Sequence, residues 1–171
     1  GVPLLTNPRF MPWMVQLEDG SNWNVTSPLP TPDDRVFFII SGGAPTPTST
    51  VTIGEGVNAT AIGLSIGRGK SVTLDLAPGA TLTTSTNSGQ QWNIGAADFT
   101  GNTGTGSASL TVTATSGGTS VVNLGVIYIG VNSQADGHSL TFTGSNLVVN
   151  DISNGQTRIG RIGNYNTMTV S

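Results

Sequence analysis

The chain has 171 residues, no Cys, 24 Gly and a formal net charge of −3, and only 9% of its residues are charged, against roughly a quarter in an ordinary globular domain. Six Lys and Arg in all leave no basic stripe, which excludes nucleic acid as a partner, and no uncharged apolar run reaches the ~18 residues of a membrane-spanning helix, which excludes insertion by that route. Without Cys there are no disulfide frameworks, thiolate metal sites or Cys nucleophiles, and no cofactor is expected. Disorder is also disfavoured. Disordered chains combine low hydrophobicity with high charge, whereas 36% of these residues are hydrophobic and they recur in a regular pattern. Gly, Ser, Thr and Asn fill close to half of the positions.

The N-terminal segment differs from the rest. Residues 1–50 hold eight of the nine Pro and two of the three Trp, Trp13 and Trp23. The opening Gly1-Val2-Pro3-Leu4-Leu5 lacks the basic start and long apolar run of a signal peptide. Phe37-Phe38-Ile39-Ile40 is an apolar strand candidate. With Phe10, Met11, Trp13, Met14 and Trp23 it is expected to cap the first turn of a repeat array, or to dock a partner. Asp33 and Asp34 are adjacent, so on an extended segment they point to opposite faces and cannot act as a carboxylate pair.

From residue 51 onward period-two segments dominate and helical spacing is absent. Thr50-Val51-Thr52-Ile53, Ser71 to Leu76, Ser109 to Thr113, Ser139 to Thr143 and Thr167 to Val170 alternate hydroxyl and apolar residues, the pattern of half-buried strands. An Ile-Gly pair precedes the later ones: Ile66-Gly67, Ile94-Gly95, Ile129-Gly130 and Ile162-Gly163. A third apolar segment follows, as in Ala80 to Thr83, Ser120 to Leu124 and Asn146 to Val149. The unit is therefore three short strands in roughly 30 residues, too short for a propeller blade of about 40 or more, and variable in its loops as a solenoid allows.

Stacking the units gives three inward columns: Val72, Leu110, Leu140 and Met168; Leu74, Val112, Phe142 and Val170; Ile66, Ile94, Ile129 and Ile162. Every member is apolar. The expected fold is all-β, a right-handed parallel β-helix (β-solenoid) of about 30-residue three-strand coils with an N-terminal cap, rising about 4.8 Å per coil. Residues 1–50 form the cap or docking segment and residues 51–171 the repeats. Thr167 to Ser171 begins a coil without a cap, so the expectation is either that the repeats belong to a longer array or that this open edge meets another chain.

Ala61 to Gly69 followed by Val72-Thr73-Leu74, and Ile162-Gly163-Asn164-Tyr165-Asn166-Thr167-Met168-Thr169-Val170, resemble the degenerate "IG…NN-LTV" repeats of bacterial surface proteins. These are the autotransporter-associated, pectin-lyase-like β-helix repeats. The resemblance spans about residues 50 to 171 and rests on coil geometry. It implies an exported passenger, adhesin or surface-layer-like structural protein, with some polysaccharide lyases on the same fold. Such passengers are usually far longer, and no catalytic residues carry over.

Candidate chemistry is sparse. Asp98 and Asp136 sit in loops after two Ile-Gly pairs and, with Asn102 or Asn132, could form a weak Ca²⁺ site through oxygen ligands; solvated turn residues are the ordinary reading. A β-helix lyase would add a basic residue from Arg68, Lys70, Arg158 or Arg161. His138, in a Gly/Ser turn, reads as a surface residue because no organised partner is evident for acid–base work. The outward Thr111, Thr113, Thr141, Thr143 and Thr169 form a Thr-x-Thr ladder with Thr73-x-Asp75 below. Such a ladder suits ordered water, as in ice-binding solenoids, or is simply the solvated face of a sheet. Two Asn-x-Thr sequons, at Asn24 and Asn58, match no more than chance predicts.

The functional expectation is a non-enzymatic extracellular or cell-surface module. It would be structural or adhesive, with copies of itself, a longer surface protein or glycan as partners. Trp13, Trp23 and the Thr ladder are its candidate interaction surface. A polysaccharide-binding or polysaccharide-processing β-helix is the alternative.

Overall fold

The computed structural model describes residues 35–38, 48–67, 69–86, 92–96, 106–115, 117–130, 137–155, 157–160 and 164–171. Trp13, Trp23, Asp98 and Asp136 lie outside them, as do most of the segment 1–50 and the Ile162-Gly163 pair. The described residues contain strands and no helix. In chain order the first three strands are β1 (Arg35–Phe38), β2 (Thr48–Ile53) and β3 (Asn58–Ala61). Then come β4 (Gly63–Gly67), β5 (Ser71–Leu76), β6 (Thr81–Thr84), β7 (Trp92–Ala96), β8 (Ser109–Ala114) and β9 (Ser120–Leu124). The last are β10 (Ile127–Ile129), β11 (Ser139–Thr143), β12 (Leu147–Asp151), β13 (Arg158–Ile159) and β14 (Thr167–Val170).

The chain visits three sheets in turn. Sheet A is ordered β1-β4-β7-β10-β13, sheet B β2-β5-β8-β11-β14 and sheet C β3-β6-β9-β12. Every pairing is parallel, so each strand pairs with strands of the preceding and following circuits. This arrangement is compatible with a β-solenoid. Among the described residues the first strand pairing lies within the segment set apart as a cap, where β1 covers the edge of β4 in register from Arg35–Gly63 to Phe38–Ile66.

The register reproduces the two inward columns expected on sheet B. Val72, Leu110, Leu140 and Met168 align, as do Val51, Leu74, Val112, Phe142 and Val170. On sheet A, Ile66, Ile94 and Ile129 align, but the next member is Ile159, not Ile162. The sequence offers the same triplet twice here. Arg158-Ile159-Gly160 is followed at once by Arg161-Ile162-Gly163, and the first copy pairs with β10, its Gly160 N–H donating to the Ile129 carbonyl at 2.8 Å.

Facing columns meet in one core. Leu64, Ile66, Leu74, Leu82, Trp92, Ile94, Leu110 and Phe142 are buried, each contributing roughly 1.5–3 kcal/mol relative to exposure. The Trp92 and Phe142 rings bridge sheets A and B with centroids 6.2 Å apart. Burying an indole N–H needs an acceptor, and the Thr84 hydroxyl supplies it at 2.9 Å. The same oxygen accepts from the Gly125 N–H at 2.9 Å. Gly125 must be glycine, since a Cβ there would sit 1.9 Å from the Ser85 carbonyl oxygen.

The A-to-B corner explains the Ile-Gly repeat. His138, read above as a surface residue, is fully buried, and its Nδ1 accepts from the Ala108 N–H one coil earlier at 2.8 Å. The His138 N–H in turn donates to Asn166 Oδ1 of the following coil at 3.1 Å. Each of these side chains lies on a glycine. A Cβ on Gly95 (φ +87) would fall 2.6 Å from the imidazole, and one on Gly130 (φ +65) 2.6 Å from the Asn166 carboxamide. Glycine after the Ile thus provides both the left-handed backbone and the space for the next coil's corner side chain.

His138→Ala should strand the buried Ala108 N–H and open a cavity over Gly95, costing about 2–3 kcal/mol in urea denaturation. His138→Asn should restore part of the loss, because Asn166 fills this position one coil on. Gly95→Ala should cost about 2 kcal/mol or more through its clash and its φ. If His138→Ala unfolds at the wild-type midpoint, the corner does not depend on this bond.

Candidate binding surface

The outward positions of sheet B form three adjacent columns. Ser71, Ser109, Ser139 and Thr167 align beside Thr48. Thr50, Thr73, Thr111, Thr141 and Thr169 form the second column, and Thr52, Asp75, Thr113 and Thr143 the third. Ser171 extends the third, its hydroxyl donating to Thr143 Oγ1 at 3.2 Å. Residues two apart on a strand are about 6.6 Å apart and neighbouring strands about 4.8 Å, so the hydroxyls define a two-dimensional lattice. Thr111, Thr113, Thr141, Thr143 and Thr169 are thus brought together as expected.

The lattice is almost without charge. Asp75 is the only ionisable side chain among these outward positions, and its carboxylate accepts from the Thr115 hydroxyl at 2.6 Å. Neighbouring rungs also bond to each other, as the Ser109 hydroxyl does to Ser71 at 2.7 Å.

The other two sheets have different outward chemistry. On sheet C the Asn150 carboxamide donates to Asn123 Oδ1 at 3.1 Å and that of Asn123 to Thr83 Oγ1 at 3.0 Å. Asn58, Thr81, Val121 and Val148 stand alongside in register, and Thr60 continues the column of Thr83, Asn123 and Asn150. On sheet A, Ser65, Asn93, Tyr128 and Arg158 align, with the Arg158 guanidinium 5.1 Å from the centre of the Tyr128 ring. Ser65 is buried and its hydroxyl has no hydrogen-bond partner. Strand propensity alone therefore does not put Ser and Thr on every outward face. They are concentrated on sheet B.

No group of three or more His, Asp or Glu able to hold a metal ion occurs among the described residues. Lys70 stands at the A-to-B corner before β5, and Arg158 is engaged with Tyr128. Sequence reasoning missed two features. One is the buried role of His138, detectable by aligning His138-Ser139-Leu140 with Asn166-Thr167-Met168. The other is Tyr165, whose left-handed backbone has no signature in composition.

Asp151 takes the place in sheet C that Leu124 holds one coil earlier. Ser153 donates to its carboxylate through the hydroxyl and through the N–H, the latter at 2.9 Å, and these bonds hold its pKa below the usual value against a smaller opposing effect of burial. A lowered folded-state pKa adds stability above the unfolded-state pKa, and that stability is lost as pH falls through the folded value. Denaturation midpoints of Asp151→Ala and wild type should therefore converge as pH falls below about 4, and a constant difference would show that Asp151 adds nothing through ionisation.

No family model, no curated protein and no solved structure matches the chain.

Proposed function

We propose that the chain is a non-enzymatic structural or adhesive module, exported and displayed at the cell surface. It would act as a stiff right-handed β-solenoid with coils of about 30 residues. The observation that carries this reading is the three-column hydroxyl lattice of sheet B. The core fixes which residues point inward, and packing demands nothing of the outward ones. Their near-uniform Ser and Thr, where the other two sheets also display Asn, Val, Tyr and Arg, suits a surface meant to lie against another. Such a face offers many weak hydrogen bonds to an extended partner and encloses no substrate. Copies of the chain, a longer surface protein and glycan polymers are all partners of that kind.

Two measurements on the same preparations test this: pelleting with insoluble cellulose and chitin, and sedimentation velocity for self-association. The wild-type chain should show retention or assembly. Thr141→Lys, at the centre of the lattice, should reduce it several-fold while leaving the circular dichroism spectrum and unfolding midpoint unchanged, since an exposed strand substitution costs within about 0.5 kcal/mol. A wild-type chain that stays monomeric and unbound removes the reading, as does a Thr141→Lys variant that behaves like wild type.

A further inference from the structure

Tyr165 is placed where neither backbone nor packing calls for a tyrosine. The turn from sheet A into sheet B is left-handed at the same place in two earlier coils, with Gly69 (φ +71) two residues before β5 and Gly137 (φ +79) two before β11, while Ser107 stands there in the coil between them without a left-handed backbone. Because Ser139 pairs with Thr167, Tyr165 occupies the position of Gly137, and it holds φ +58. A side chain in this region brings its Cβ against the following carbonyl, a clash that glycine avoids. The ring gains nothing from burial in return. It is 84% exposed, against 42% for Val148, 46% for Ile159 and 67% for Val170.

An exposed aromatic held in an unfavourable backbone marks a contact residue. Its position shows what it contacts. The corner leads directly into β14, whose Thr167 and Thr169 belong to the hydroxyl lattice, while the equivalent place in the coils before it carries Gly137, Ser107 and Gly69, none with a large side chain. Tyr165 is therefore the large side chain at the rim of the lattice face. That face bears a single outward ionisable group, the Asp75 carboxylate already bonded to Thr115, so it complements a neutral partner rich in hydroxyls. Sugar rings have that chemistry. Their C–H faces stack on an aromatic ring, and their hydroxyls exchange hydrogen bonds with Ser and Thr.

We propose that Tyr165 is the stacking residue of a binding surface for a neutral polysaccharide chain laid along the sheet B hydroxyl lattice. This rests on the reading of the chain as a surface-binding module and names the partner. The test is native affinity electrophoresis in gels containing hydroxyethyl cellulose, glycol chitin or, as the anionic control, carboxymethyl cellulose. Wild-type chain should be retarded by a neutral polymer and not by the anionic one. Tyr165→Gly should bind roughly three- to tenfold more weakly, the value of one ring contact, yet unfold at or above the wild-type midpoint because its backbone strain is relieved. Tyr165→Phe should bind like wild type. Equal retardation of Tyr165→Gly and wild type overturns the assignment, and so does absence of retardation in both neutral gels. If retardation is absent while Thr141-dependent self-association persists, the polysaccharide partner falls and the module reading stands.

Discussion

In a stack of parallel strands each residue sits against its counterpart one coil away, so an error of one position turns every side chain to the wrong face. The corner bonds prevent that error here. The Ala108 N–H is held by the His138 side chain and the His138 N–H by Asn166, while Ser139 and Thr167 N–H groups donate back to the Ala108 and His138 carbonyls at 2.9 Å. Each corner thus ties to the coils on both sides. Because the imidazole and carboxamide occupy the space over Gly95 and Gly130, a shifted register would drive them into a Cβ or leave an amide unpaired. Either costs more than an exposed hydrogen bond returns.

Once register is fixed, burial follows column by column. Sheet B can alternate strictly, with Val72, Leu74 and Leu76 buried between half-buried Ser71, Thr73 and Asp75, because its inner face meets Trp92 and the Ile column of sheet A. Sheet C is narrower in its apolar demand. Its inward positions run from Ala59 through Leu82 to Val122 and Val149, and it admits a hydroxyl, Thr84, because the Trp92 indole and the Gly125 amide both need an acceptor there. Of the two buried polar residues in that wall, Thr84 is thus specified by two donors, and Ser120 donates its hydroxyl to the Ala77 carbonyl at 2.8 Å.

Much of this was legible in the sequence, and the failures have physical causes. Alternation of Ser or Thr with Leu, Val, Phe or Met located sheet B and its inward columns, because a period of two survives changes in loop length. The Ile-Gly pairs located sheet A, yet the motif could not choose between Ile159 and Ile162. Identical triplets have identical pattern, and only hydrogen bonding of Gly160 to Ile129 separates them. His138 escaped for a different reason. A polar residue among Gly and Ser looks solvated, and its burial depends on a glycine more than forty positions earlier in the chain. The sheet B face was legible residue by residue. Tyr165 was not, since its significance lies in a dihedral angle.

The chemistry of the three outer faces separates what the fold needs from what it leaves free. All three sheets share parallel geometry, so strand propensity acts in the same direction on each. Yet sheet C mixes Thr with Asn and Val, and sheet A displays Asn93, Tyr128 and Arg158, while sheet B carries hydroxyls in nearly every outward place. Salt bridges are the usual way to keep such a face soluble, and here they are replaced by short neutral side chains. A face of short side chains cannot grip a partner through a pocket. Its affinity must come from many equivalent contacts along an extended ligand, helped by a few larger residues. Tyr165 is such a residue, and its left-handed backbone is a local cost that the lattice beside it gives a reason to bear.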